Sequence, residues 1–254
     1  MTVLELTPSA QVPPRSRAVL AQTAMETKLI LRNGEQLLLT IAIPVALLVL
    51  FAKAPIAHIP KPRIEFMAPG VFGLAVMSTA FTGQAIGTGF ERRYGVLRRL
   101  STTPLSRAGL LAAKTSAVLL VEVLQAVMLC IVAAVLGWHP HGSAAAAIGL
   151  VLLGTACFSA LALLMAGTLR AEATLAGANL FYLVSLGLGG VAYPLSDYSH
   201  GVQDALGLLP LTALSGGLRA VLDHGSAVPL HDWLTLLVWA AIGVTAAVRW
   251  FRWD

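Results

Sequence analysis

Residues 66–105 read FMAPGVFGLAVMSTAFTGQAIGTGF and then ERRYGVLRRLSTTPL, an uncharged run followed by a charged island. Phe66–Phe90 contains no Asp, Glu, Lys or Arg. About 20 apolar residues are what a helix needs to cross a bilayer core. The island then sets five charges, Glu91, Arg92, Arg93, Arg98 and Arg99, within nine residues, and a mostly apolar stretch runs from Ala108 to Gly137. A few polar residues suffice to join two spanning helices. So charged a cassette therefore reads as a docking element, which implies a partner.

Composition extends the membrane reading to the whole chain. Of 254 residues, 57% are hydrophobic and 11% charged, with a mean hydropathy of +0.80; soluble domains carry about 25% charged residues. The net charge of +5 does not point to nucleic acid, because the basic residues cluster at the ends of apolar runs, as orientation signals do. Cys130 and Cys157 both lie inside apolar runs and are expected to be buried free thiols rather than a disulfide or a metal pair. The first 35 or so residues hold scattered charges and Pro13-Pro14 but no early apolar core, so no cleavable signal peptide is expected.

The expected fold is all-α: one transmembrane domain over 1–254 with spans at Gln36–Ala52, Phe66–Phe90, Ala108–Gly137, Gly142–Leu169, Ala173–Tyr193 and Asp232–Trp250. The first is short and holds Pro44, which tilt or interfacial anchoring accommodates. Gly137-Trp138-His139-Pro140-His141-Gly142 separates the third from the fourth. Residues 1–35 form an N-terminal segment whose Arg15–Asn33 portion reads as a helix on the inner membrane face. With both termini cytoplasmic, the inner segments hold 13 of the 17 Lys and Arg residues, and the outer ones hold Lys53, Lys61, Arg63 and Arg219. Residues 91–107 then form a cytoplasmic loop. All six histidines fall in outer segments without tight ligand spacing, so no metal site is expected.

Within the outer segment 194–231, Leu206–Leu222 is apolar yet carries Pro210, two glycines and Arg219. A seventh span there would put Arg249 and Arg252 outside. Re-entrant short helices fit better, and such backbone is tolerated at membrane depth only when packed on protein or lining water. A peripheral apolar loop is the alternative. Leu186-Gly187-Leu188-Gly189-Gly190 and Tyr193-Pro194 are expected to end the fifth span.

Catalytic signatures are missing. There is no G-x-x-x-x-G-K-[ST] to cradle a nucleotide phosphate, no H-E-x-x-H and no G-x-S-x-G. Leu214-Ser215-Gly216-Gly217 imitates the start of the ABC ATPase signature but lacks the following Gln and lies in an apolar outer segment. Glu122 is the acidic residue deep in a span, about 12 Å along the helix from Lys114. Such carboxylates are costly and either serve a substrate or proton path or bond to neighbouring helices. Gln125 can share its polar face, and Asn179 is a weaker member of the same possible substrate path. Gly83 and Gly87 make a G-x-x-x-G that suits packing within the subunit or between subunits.

Within the island, Gly95 permits a bend and Val96-Leu97-Arg98-Arg99-Leu100 makes one or two amphipathic turns. Leu97 and Leu100 give an apolar edge, and Arg98 and Arg99 a cationic one. Pro104 disfavours helix at Thr103. This element suits a cleft on a cytosolic partner; a basic loop on anionic headgroups is the alternative. The pattern Glu91-Arg92-x-x-Gly95-x-Leu97-x-x-Leu100-x-x-Thr103-Pro104-Leu105 resembles the cytosolic signature of ABC-2 type permeases, and most of all the daunorubicin-resistance exporter group. The resemblance spans nearly the whole chain. It implies that Val96–Leu100 docks on a separate ATP-binding subunit, that Glu91 and Arg92 form the hinge with the second span, and that Pro104 closes the turn. It further implies two permease subunits, identical or related, with two ATPases. These ATPases hold the ATP and magnesium, and this chain holds no cofactor.

The expected function is thus the membrane subunit of an ATP-driven exporter in the inner or plasma membrane, itself without covalent chemistry. Scarce intramembrane charge favours amphiphilic or lipid-like cargo. An ion- or proton-coupled secondary transporter is the competing reading, and it has little beyond Glu122 to work with. A membrane enzyme would need clustered acidic or histidine residues.

Overall fold

A computed structural model describes residues 14–53, 63–191 and 198–252. Every regular element among them is helical. In chain order these are α1 (Arg15–Arg32), α2 (Gly34–Lys53), α3 (Arg63–Met77), a π-helical turn (Ser78–Gly83), α4 (Gln84–Arg93), α5 (Val96–Leu100), α6 (Arg107–Val135), α7 (Ala144–Thr168), α8 (Ala171–Leu188), α9 (His200–Gly207), α10 (Pro210–Leu222) and α11 (Leu230–Trp250). Five segments are long and apolar enough to cross a membrane: Arg63–Arg93, α6, α7, α8 and α11. The first expected span forms α2, whose apolar portion, Thr40–Lys53, is shorter. Tyr193, Pro194, Lys61 and His58 lie outside the described residues.

Local chemistry sets the helix starts. The Ser106 hydroxyl accepts from Gly109 N at 3.1 Å to open α6, and the Ser143 hydroxyl accepts from Ala146 N at 3.3 Å to open α7; each satisfies an otherwise free helix N–H. The α6–α7 tip docks on α10 through His141 N, which donates to Leu222 O at 3.0 Å. Gly142 there has φ +77°, and a Cβ would collide with the Val221 carbonyl, so the position requires glycine.

The expected re-entrant segment is a helix pair, α9 and α10, bent by 97°. It is no peripheral loop: Leu211, Leu214 and Leu218 of α10 are buried with Leu74, Met77 and Phe158 in the largest core cluster. Pro210 sits in the first turn of α10, where its missing N–H is no loss. Arg219, read from sequence only as an outer charge, is 9% exposed. It donates to Phe66 O at 3.3 Å and to Gly190 O at 3.0 Å, and its guanidinium lies 3.8 Å over the Phe66 ring. It joins the start of α3 to the irregular backbone after α8, the packing that non-helical chain at membrane depth demands.

Elsewhere α11 packs on α7, α1 on α6, and α4 on both α7 and α8. Leucines and other large apolar side chains on α6, α8 and α11 face outward, among them Val127, Ile131, Leu180, Leu183, Val238 and Ile242. Cys157 is buried as expected, but Cys130 is exposed on the apolar outer face of α6; both are free. Being inside an apolar run does not distinguish burial in protein from contact with lipid.

Candidate coupling site and polar cavity

α4 completes the second span, Arg63–Arg93. The chain then turns at Gly95, whose φ of +72° lies in the left-handed region that glycine enters without penalty. Gly95 N donates to Arg92 O at 3.0 Å, and α5 departs in a new direction. After Leu100 the backbone closes in single turns, Ser101 N to Leu97 O at 2.9 Å and Thr103 N to Leu100 O at 3.0 Å. Pro104 follows and prevents further helix.

The two edges of α5 differ from the sequence expectation. Leu97 is 0% exposed and sits in a cluster with Leu105, Leu110, Leu163, Ala247 and Phe251, with Leu100 and Val19 packed against it. The apolar edge therefore turns inward, because an isolated five-residue helix has too few bonds to hold its place and needs a buried anchor. Leu97 is not a surface contact. What faces outward is Tyr94, at 71% exposure, with Val96, Arg98, Arg99 and Pro104.

Contacts from Glu91, Arg92 and Arg93 hold the end of α4. Arg92 Nη1 donates to Ala166 O of α7 at 2.7 Å. Arg93 pairs with Glu172 in the first turn of α8. Lys114 Nζ of α6 lies 2.8 Å from Glu91 Oε2 and 2.9 Å from Glu26 Oε1 of α1. The triad Glu26–Lys114–Glu91 thus joins α1, α4 and α6. Arg107 adds a tie to the carbonyls of Val248 and Arg249 at 3.3 and 3.1 Å. These contacts, with the cluster around Leu97, connect the α4–α5 corner to α1, α6, α7, α8 and α11.

Above the triad is a cavity of about 410 Å³ reaching from Glu26 and Glu91 to Thr40 and Thr79. One end is built from the π-helical turn: the Thr79 hydroxyl proton is shared between Ala75 O at 3.1 Å and Gln125 Oε1 at 3.2 Å, and Gln125 Nε2 donates to Thr40 O at 2.7 Å. Ser159 donates to Gln84 Oε1 at 2.9 Å, leaving Gln84 Nε2 and Thr88 Oγ1 without partners. Gly83 and Gly87 line this cavity, and nothing in the chain lies within 4 Å of a Cβ at Gly87, so Gly87 packs on no helix of this chain.

A family model described as ABC-2 type transporter matches residues 17–222, a range that contains the α4–α5 corner, the cavity and the re-entrant pair. The chain belongs to the ABC-2 type transporter family. It is a membrane-spanning permease subunit. No curated protein matches it.

The permease separates the three residues of the expected path. Gln125 is buried in the belt just described. Glu122, one turn before it, faces elsewhere: Thr155 Oγ1 donates to its Oε2 at 2.6 Å, and it lines a second, apolar cavity. Asn179 is exposed on α8, apart from both cavities. Sequence reasoning did not identify the triad. Its signal was Lys114, a lysine seven residues inside a span, which demands a counter-charge; nothing in the sequence said that Glu26 and Glu91 supply it. Among the described residues no three His, Cys, Asp or Glu side chains gather as a metal site would require.

Proposed function

We propose that the permease is the membrane half of an ATP-driven exporter, with both termini cytoplasmic and α5 docked on a separate ATP-binding subunit. Two permeases, identical or related, pair with two such subunits, which bind ATP and magnesium. The observation that carries the proposal is the mounting of α5: a short helix anchored inward by Leu97 and presenting Tyr94, Val96, Arg98 and Arg99 outward. Arg98 and Arg99 form no ion pair among the described residues, so they are available to acidic groups on a partner. Closure of the ATPases would push α5, and the ties from Glu91, Arg92 and Arg93 would pass that movement to α1, α6, α7 and α8. Transport requires that cargo bind the two resulting conformations differently. The outward apolar faces and scarce intramembrane charge suit an amphiphilic or hydrophobic cargo drawn from the bilayer.

The test is charge reversal at Arg98→Glu with Arg99→Glu. The variant should remain folded but fail to co-purify with the ATP-binding subunit or to stimulate its ATP hydrolysis. Retained binding and stimulation would remove α5 as the docking element.

A further inference from the structure

The second cavity, of about 540 Å³, lies between α6 and α7 and is lined too by Trp138, Pro140 and His141 of their connection and by Leu218 and Leu222 of α10. That volume is in the range of small-ligand sites. Its lip is apolar and outward-facing, with Val123, Ile148 and Leu152 exposed, so a molecule dissolved in the bilayer reaches it from the side. Its floor is Glu122, which is 4% exposed.

The carboxyl is under-partnered. Glu122 Oε1 is buried and accepts no hydrogen bond. Glu122 Oε2 shares its donor, because Thr155 Oγ1 lies 2.6 Å from it and 2.8 Å from Val151 O, and one hydroxyl proton serves only one acceptor. No Lys or Arg among the described residues pairs with Glu122. The indole N–H of Trp138, also on the cavity wall, has no partner either. An apolar chamber whose floor is a carboxyl oxygen without a hydrogen-bond partner is a site lacking its ligand's polar group.

We propose that this cavity binds a lipophilic ammonium ion, its N–H groups on Glu122 and its hydrocarbon along the walls between α6 and α7. An ammonium supplies both the missing donor and the missing counter-charge, and charge-assisted hydrogen bonds are about twice as strong as neutral ones. A hydroxyl would supply only the donor. The proposal deepens the reading of the cargo as an amphiphile and rests on it only for transport. Binding is a property of this chain alone, so it can fail while docking through α5 holds, and the reverse.

The test uses the full-length permease in phosphatidylcholine nanodiscs and three probes: 12-bromododecylamine, its N-trimethyl analogue without N–H groups, and 12-bromododecanol. Quenching of tryptophan fluorescence is read against the Trp138→Phe variant to isolate the cavity signal. The expected result is saturable quenching by the primary amine, at least about tenfold tighter than by the alcohol or the trimethyl analogue. Glu122→Gln should abolish that preference while leaving the weak component common to all probes. Ala126→Phe, which fills the cavity one turn from Glu122 and keeps the carboxyl in place, should remove saturable quenching by the amine. Equal binding of amine and alcohol, an amine preference that survives Glu122→Gln, or no saturable quenching in the unaltered protein would each overturn the proposal.

Discussion

Replacing Lys114 by Met tests whether the buried triad holds α1 to the bundle. Lys114 Nζ lies 2.9 and 3.0 Å from the two oxygens of Glu26 and 3.0 and 2.8 Å from those of Glu91. Three ammonium protons thus serve two carboxylates, so the triad carries one net negative charge. Removing the lysine leaves two carboxylates facing each other across a site that is closed at Glu26 and more open at Glu91. Removing one partner from a buried ion pair costs about 3–5 kcal/mol. Glu26→Gln, by contrast, leaves a neutral Lys114–Glu91 pair and costs about 1 kcal/mol. Hydrogen exchange of the α1 amides reads the difference directly. At 1.36 kcal/mol per tenfold, Lys114→Met should speed exchange about 160- to 4,700-fold and Glu26→Gln only roughly fivefold. The triple variant Glu26→Gln, Lys114→Met, Glu91→Gln should recover most of the protection, because no uncompensated charge remains. Equal effects of Lys114→Met and Glu26→Gln would show that α1 is held by its apolar contacts instead.

Gly95→Ala should cost about 1–2 kcal/mol of stability through its left-handed backbone alone, since nothing lies within 4 Å of the new Cβ; thermal unfolding measures it, and Gly95→Asn should cost less. Leu97→Ala should lower stability by about 2–5 kcal/mol, whereas Arg98→Ala should change it by no more than about 0.5 kcal/mol, so unfolding curves for the two separate the anchored edge of α5 from its free one. Arg219→Met should strand the carbonyls of Phe66 and Gly190 at about 1–3 kcal/mol each and raise proteolysis of the α9–α10 segment.

The spans were legible because lipid solvation imposes a length and an apolar composition on each of them. Ser106 and Ser143 mark two starts within a residue or two of those read from hydropathy. Pro210 and the glycines of 206–222 disclosed the re-entrant pair, yet the burial of Arg219 did not follow, since a cation in an outer segment looks the same whether it faces water or a phenyl ring. The edges of α5 were misjudged for a related reason. Leu97 and Leu100 define an apolar side at i and i+3, but sequence spacing says nothing about whether that side meets a partner or the chain's own α6, α7 and α11. Glu122 and Gln125 show the limit on a single helix: three residues apart, they bond to different neighbours, because Thr155 of α7 stands beside one and Thr40 of α2 beside the other.

The π-helical turn at Ser78–Gly83 gives the second span two angular settings. Outside it, α3 addresses α2 and α10; inside it, α4 addresses α7 and α8. One added residue in a helix advances azimuth by about 100° and rise by about 1.5 Å, so the turn acts as an indexing step on a shaft. Deleting one residue there would swing Glu91 away from Lys114 and Arg92 away from Ala166 while leaving α3 seated. The permease can therefore tolerate changes of side chain in this turn more readily than a change in its length.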